Sequence, residues 1–286
     1  MDFLHFLPKR KPDSHKGDYG HVLVVAGSRG YTGAAYFTSQ SAILSGSGLV
    51  TLAVPEPIYP ILATKLNEVM VRSFSATQEG GFSKSALTGI QVCAEKTDVL
   101  AIGPGLSIHP QTSVLVRELL VQEKKPIMLD ADGLNAFAKK TRLFHRHQSG
   151  LILTPHAGEL ARLVETNPQA IQSQRSYCAA QYAKEWNVVL VLKGNRTIVT
   201  SPDGKVYENS TGNPGMATGG SGDILTGIIA SFVGQKIPLY SAACLGVYVH
   251  GLAGDLAAKE KGEYSLIASD ILDKIPEAIK TVIRDS

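Results

Sequence analysis

Six unbroken apolar runs, spaced by segments long enough for helices, are the first thing this chain has to accommodate. They are "HVLVVAG" (21–27), "LVTLAV" (49–54), "DVLAIGPG" (98–105), "PIMLDADG" (126–133), "GLILTPH" (150–156) and "VVLVLKG" (188–194). Continuous rather than alternating runs suit strands covered on both faces. Intervening helical patterns, such as "AAYFTSQSAILS" (34–45) and the stretch around 110–123, predict parallel pairing through crossovers. "RTIVTSPDGKVYENST" (196–211) has a different texture: two alternating runs flank a PDG turn, which predicts an antiparallel hairpin at the sheet edge. Two mainly apolar segments, "ILTGIIASFVG" and "AACLGVYVHGLAGDLAA", read as buried helices. The expected fold class is α/β, a mainly parallel sheet flanked by helices with an antiparallel edge hairpin. With no internal repeat, low-complexity linker or composition break, one domain over 1–286 is expected, with residues 1–19 as an N-terminal arm.

Composition narrows the function classes. A net charge of +3, with no basic block longer than "KRK" at residues 9–11, gives no electrostatic case for nucleic acid. No apolar run approaches the ~18 residues of a membrane span. Cys93, Cys178 and Cys244 are widely spaced and form no CxxC, so they read as core residues in a reducing compartment. The first twenty residues lack the apolar stretch and cleavage site of a signal peptide and read as a docking arm. A cytoplasmic protein is expected.

The unusual residues gather where the runs end. "GPG", "DADGLN", "TPHAGE" and "KGNRT" each follow a different strand, and "GNPGMATGGSGDILTG" (212–227) follows the hairpin. Ligands of open α/β sheets sit beyond the carboxyl ends of the strands, so chain order alone predicts one shared rim. The last stretch holds six glycines in sixteen positions. It places Gly220, Ser221 and Gly222 at the start of a helix, where unpaired N–H groups and the positive dipole end form a pocket for an anion such as phosphate. Asp223, in the first helical turn, lies where its carboxylate can take a proton from an attacking hydroxyl. A helix cap with a flexible loop would explain a lone GSGD. Six glycines with Asn213 and Thr218 in one window favour the anion pocket.

The other motifs leave alternatives open. The chain has no GxxxxGK[ST], and "GSRGYTG" lacks the GxGxxG spacing, so neither a Walker loop nor a Rossmann fingerprint is present. "GSRGYTGAAYF" offers Gly30, Thr32 and Gly33 to a ligand or simply makes a tight strand–helix turn. Asp130 and Asp132, two apart, would face opposite sides of an extended strand. Asp132, near Asn135, is then the better candidate for the open rim, although both carboxylates could cap the next helix. In "TPHAGE", His156 and Glu159 share a face if a helix begins there. Glu159 suits a cation through water, or forms a capping box with Thr154 or His156. Lys193, the Gly194 backbone and Thr197 could meet phosphate.

Taken in order, GPG, DADGLN, TPHxGE, KGxxT and GNxGMATGGSGDxLTG over residues 20 to about 255 resemble the ribokinase-like superfamily, a three-layer sandwich. They are more closely similar to its ADP- or ATP-dependent NAD(P)H-hydrate dehydratases, whose His in the TPH motif replaces the Asn usual in kinases of this fold. The resemblance implies that a hydrated nicotinamide ring is dehydrated at the expense of a nucleotide phosphate: the ring hydroxyl is phosphorylated, then expelled as phosphate. It assigns Asp223 as base and the amides of Gly220, Ser221 and Gly222 as the phosphoryl cradle. The hydrated dinucleotide would be held by Ala34, Ala35, Gly105, His156 and Asp223. The nucleotide would be held by Lys193, Gly194, Asn195, Arg196, Thr197 and Gly222. Glu159 would be at most an indirect partner of Mg2+. "KGNRT" resembles members that use ADP and leave AMP. Homo-oligomers, often tetramers, and a separate NAD(P)H-hydrate epimerase are the implied partners; the family is often fused to an epimerase domain, which is not expected here because the sheet pattern starts at residue 21. The competing expectations are a vitamin or sugar kinase using the same Asp223, and a nucleotide-sensing module without turnover. Asp223 disfavours the latter, since a carboxylate beside bound phosphate hinders binding unless chemistry needs it.

Overall fold

The computed structural model describes residue 7 and residues 10–284. The chain runs β1 (His21–Val25), α1 (Thr32–Leu44), β2 (Leu49–Pro55), α2 (Tyr59–Lys65), β3 (Met70–Phe74), α3 (Leu87–Ala94), β4 (Val99–Ile102), α4 (Pro110–Gln122), β5 (Ile127–Leu129) and α5 (Ala131–Asn135). It continues through β6 (Leu151–Leu153), α6 (Ala157–Leu163), α7 (Pro168–Ser173), α8 (Arg175–Trp186), β7 (Val189–Leu192), β8 (Ile198–Thr200), β9 (Val206–Glu208), α9 (Ser221–Gly234), α10 (Leu239–Lys261) and α11 (Ala268–Arg284).

The strands form one sheet in the order β3-β2-β1-β4-β5-β6-β7-β8-β9. Pairing is parallel from β3 to β7, and β7-β8-β9 is the antiparallel edge expected from the PDG hairpin. Strand β1 explains the unbroken runs. Val22 and Val24 pack into a core with α1, α9, α10 and α11, while Leu23 and Val25 pack into a second core with α3, α4 and α8. All four are fully buried, so neither face of the strand can alternate with polar residues. Strand β3 escaped the sequence because it is an edge: Met70, Ser73 and its neighbours are largely exposed, and its residues form no apolar run. Five of the six apolar runs overshoot the ends of their strands by two to four residues, and those overshoots are the turns that carry the site; the run at 49–54 stops one residue short of the end of β2.

Chain order reverses between β1 and β4, and the loops after these two strands meet there, with the Gly27 amide donating to the Pro104 carbonyl at 2.8 Å. The described residues before β1 pack against the body of the protein. Arg10 donates to the Gly46 carbonyl at 2.6 Å, Tyr19 is buried, and the Gly48 amide donates to the Tyr19 carbonyl at 3.1 Å. Among the described residues no helix is long and apolar enough to cross a membrane.

Helix α9, whose start carries the glycine stretch, is pressed against α1. A Cβ on Gly227 would lie 2.0 Å from Ser41 Oγ and 2.1 Å from the Thr38 carbonyl oxygen. Because a packed interior resists added volume, Gly227→Ala is expected to destabilise the fold by about 3 kcal/mol, lowering Tm by roughly 6–12 °C for a chain of this size. Thermal denaturation of the variant checks this; an unchanged Tm would mean that α1 and α9 can separate freely.

Candidate active site

The site is built at the carboxyl ends of β1, β4, β5, β6 and β7, facing the start of α9. Strand β5 stops at Leu129 and α5 begins at Ala131, which corrects the expectation for the two aspartates. The strand does not extend far enough to place them on opposite faces. Asp132, expected on the open rim, accepts from the Ser107 amide at 2.9 Å and from Asn135 Nδ2 at 3.1 Å, which secures the turn after β4. Asp130 reaches under the site instead. It is 1% exposed, and its carboxylate accepts from Lys193 Nζ at 2.5 Å and from Thr226 Oγ1 at 2.7 Å. One buried carboxylate thereby ties the end of β5 to the end of β7 and to α9.

Lys193 does not project freely toward a ligand. Its ammonium pairs with Asp130, stands 3.7 Å from Glu159 Oε2, and would be 3.5 Å from a Cβ on Gly222. Burial alone would lower its pKa; Asp130 and Glu159 reverse that and hold it above the ordinary lysine range. The cation therefore lies directly beneath the bare first turn of α9. Its strand is held by the Lys193 amide donating to the Pro155 carbonyl at 2.9 Å.

Glu159 and His156 form the capping box that was one of the two alternatives. His156 Nδ1 accepts from the Gly158 and Glu159 amides at 3.0 and 3.3 Å, and Glu159 Oε2 accepts from the His156 amide at 2.7 Å. Neutral His156 therefore carries its proton on Nε2, 3.5 Å from Glu159 Oε1, and its half-exposed side chain lines the cavity. Burial lowers its pKa, only partly offset by Glu159, so it stays neutral in the ordinary range. With both carboxylates engaged, neither Glu159 nor Asp130 is a ready-made metal ligand. Among the described residues no cluster of three or more His, Cys, Asp or Glu side chains could hold an ion. A magnesium ion here would have to be held largely by water and the substrate phosphates.

Asp223 differs from these groups in having no hydrogen-bond partner among the described residues. Burial, with Asp130 next, raises its pKa to about 7, and Lys193 opposes the rise. Beside it the α9 N-terminus begins at Gly220, φ 95°, with no side chain capping the first amides. Ser221 Oγ lies 3.2 Å from Nε2 of His250, whose pKa burial lowers to about 4, so the imidazole is neutral. An unpaired base beside uncapped amides can take a proton while the amides hold a negatively charged group.

A cavity of about 760 Å3 opens from this point. His156, Lys193–Thr197, Ser221, Gly222, Asn209, Thr211–Asn213, Val247 and Gly251 line it, and the Asn209 amide donates to the Thr197 carbonyl at 2.9 Å. Within the β7–β8 turn, Arg175 donates to the Leu192 carbonyl at 3.1 Å and also to Asn195, while Thr197 Oγ1 donates to the Gly194 carbonyl at 3.0 Å. The Arg196 guanidinium pairs with Glu208 on the surface, so it faces the strand edge and not the phosphate end. Of the residues expected at the second substrate, Ala34 and Gly105 are adjacent: a Cβ on Gly105 would lie 2.9 Å from Ala34 Cβ. Ala35 is fully buried against Gly27, so its side chain cannot touch a ligand. Sequence reasoning missed Thr226, His250, Asn209 and Thr211. For Asn209 the available signal was an amide side chain directly after an alternating run; for the two helical residues the only signal was a polar side chain inside an apolar segment.

A helix start with uncapped amides, beside an unpaired carboxylate at the strand ends of a mainly parallel sheet, belongs to a ribokinase-like α/β protein. The NAD(P)H-hydrate dehydratase family model matches residues 22–277, and the chain belongs to that family. It is 49% identical over 276 residues to a bifunctional NAD(P)H-hydrate repair enzyme of Moorella thermoacetica, covering 96% of this chain and 52% of that protein. It is 34% identical over 277 residues to the ADP-dependent (S)-NAD(P)H-hydrate dehydratase of Neisseria meningitidis, covering 95% and 88%. The crystal structure of the ADP/ATP-dependent NAD(P)H-hydrate dehydratase of Bacillus subtilis, co-crystallised with ATP/Mg2+, superposes with a TM-score of 0.84 at 31% identity over 98% of this chain and 96% of that one. The chain spans about half the length of most curated relatives it matches.

The Asp223 environment has a consequence for stability. Its folded pKa of about 7 stands above the unfolded value of 3.8, so the native state binds the extra proton between these limits. The stability this gives is fully present below about pH 4 and is lost as pH rises through 7. Asp223→Asn, which mimics the protonated acid, is expected to match the parent near pH 4 and exceed it by on the order of 1 kcal/mol or more at pH 8. Chemical denaturation at both pH values reads the difference, and a pH-independent gap would place Asp223 in ordinary solvent.

Proposed function

We propose that the protein dehydrates the S-form of hydrated NADH and NADPH back to NADH and NADPH, using ADP and leaving AMP and phosphate. The observation that carries this is the unpartnered Asp223, with its proton affinity raised to about 7, beside the uncapped start of α9, where Ser221 and Gly222 line the cavity. Hydroxide is a poor leaving group, so the ring hydroxyl is converted to a phosphate ester first. Its oxygen attacks the terminal phosphorus, Asp223 takes the hydroxyl proton, and the bond to the nucleotide oxygen breaks. Breaking the ring C–O bond then expels phosphate and, with loss of a neighbouring ring proton, restores the double bond. The amides of the α9 start hold the phosphoryl charge, and Lys193, fixed beneath Gly222, adds a positive field.

The nucleotide is assigned to Lys193–Thr197 and Gly222, which share the cavity, with Arg196 contributing through its backbone. The hydrated dinucleotide is assigned to Ala34, Gly105, His156 and Asp223, with Ala35 limited to its main chain. The name of the Neisseria relative supports ADP over ATP. The Mg2+ named with the Bacillus structure finds no ligand set in the side chains here, and no step is routed through it. The bifunctional name of the Moorella relative supports functional pairing with an epimerase. Assembly into a homo-oligomer, as a tetramer, rests on the family resemblance, and the single domain over 1–286 on the lack of any repeat, linker or composition break. Three free thiols, Cys93, Cys178 and Cys244, accord with a cytoplasmic setting.

Incubation with hydrated NADH and either nucleotide tests the reading. Reduced-nicotinamide absorbance should return with AMP and phosphate in equal amounts. Accumulation of a stable phosphorylated product would identify a kinase instead. Asp223→Asn should bind nucleotide and lose turnover by roughly 10²–10⁴-fold. The parent rate should rise with pH to half its maximum near the Asp223 value of about 7. An acid limb at the ordinary carboxylate value would remove Asp223 as the base.

A further inference from the structure

One wall of the cavity lies outside the sheet. It is the irregular segment 209–216, fastened along one stripe of α10. Asn209 Nδ2 donates to the Val247 carbonyl at 3.1 Å, and Thr211 Oγ1 donates to the Tyr248 carbonyl at 2.9 Å. One turn on, Gly251 leaves room for the segment, since a Cβ there would lie 2.2 Å from Thr211 Oγ1. A further turn on, Gly254 does the same for Met216, whose Sδ would lie 2.2 Å from a Cβ. Asp255 completes the stripe. Its Oδ2 accepts from the Gly212 amide at 2.8 Å and its Oδ1 from Asn213 Nδ2 at 2.9 Å. These helix positions recur at the spacing that puts side chains on one face.

We propose that Asp255 is the latch holding segment 209–216 in place as the nucleotide-facing wall, and so is a positioning residue for the nucleotide. Two anchors of the segment are main-chain carbonyls that no substitution removes, whereas Asp255 is a side chain that engages two successive residues with both oxygens. It does not line the cavity, while Asn209, Thr211, Gly212 and Asn213 do, together with the β7–β8 turn. The residue therefore acts on the ligand through the wall. Its charge is needed to take two donors at once: an Asn in its place offers one acceptor and turns an N–H toward the second donor. The proposal rests on the assignment of this cavity to the nucleotide.

Asp255→Ala and Asp255→Asn, made in the full chain, test it by two independent readings. With ADP as the varied substrate, the Ala variant should raise KM about tenfold, corresponding to a loss of ~1.4 kcal/mol, with kcat within about threefold of the parent and the KM for hydrated NADH unmoved. The Asn variant should fall between the two. By hydrogen exchange, the amides of 209–216 should lose protection in both variants while those of α9 keep theirs. An unchanged nucleotide KM, a fall in kcat at fixed KM, or unchanged exchange across 209–216 would each overturn the latch. Failure of the parent to turn over with any nucleotide would instead sink the functional assignment, and the exchange measurement would still decide whether Asp255 holds the segment. If the Ala variant does not fold, the Asn variant carries both readings.

Discussion

The Lys193–Asp130 ion pair is the interaction on which the rest of the site depends. Asp130 is almost wholly buried and Lys193 nearly so, and their 2.5 Å contact joins two strands that are separated in the sheet by β6. Through Thr226 the same carboxylate reaches the second turn of α9. Removing one partner of such a pair leaves a buried charge, a loss of about 3–5 kcal/mol in comparable cases. The position of the helix start relative to the strand ends is thus fixed by charge, where a purely apolar contact would tolerate sliding. A site that must hold a phosphoryl group within hydrogen-bond reach of backbone amides needs that fixity.

The pair also determines what Asp223 can be. An ammonium free to choose would pair with the nearest carboxylate and pull its pKa down, leaving a weak base. Because Asp130 and Glu159 already surround Lys193, the cation reaches Asp223 only as a modest opposing field, and burial together with Asp130 prevails. The result is a carboxylate with a proton affinity near neutrality, as general-base chemistry at that pH requires. Asp223 thus owes its basicity to a neighbour's prior commitment, and the stability lost to its unpaired charge above pH 7 is the cost of keeping it reactive.

What the sequence revealed follows from what leaves a local mark. Fully covered strands write themselves as unbroken apolar runs, so β1, β2 and β4–β7 were visible, as was the hairpin through its PDG turn. Strand β3, exposed on the edge, left none. The rim was legible because every strand end carries turn chemistry of its own, and the anion pocket because a helix start and its acid are adjacent in the chain. The partners of Asp130 lie 63 and 96 residues away, and no local pattern encodes such pairings. That distance is why Asp132 looked the better candidate: on sequence alone it has the nearer polar neighbour, Asn135, and it does bond to it.

The glycine stretch shows how one pattern can carry several demands. Bare backbone in such number points to close approach by a ligand, but of the six only Gly212 and Gly222 line the cavity, and only Gly219 has open space around it. Gly215 is crowded by the Glu263 main chain at 2.6 Å, Gly220 by the Phe37 ring at 2.8 Å, and Gly227 by α1. Gly212, at φ 105°, turns its amide onto Asp255. Most of the glycines therefore serve the protein's own packing: they let α1, α10 and the loop before α11 converge on the start of α9. The anion pocket is possible because those approaches are close, since a helix start crowded by its own scaffold is held still. Ligand binding and packing select the same residue here because both require backbone without side chains, and for that reason composition alone overstates how much of the stretch touches phosphate.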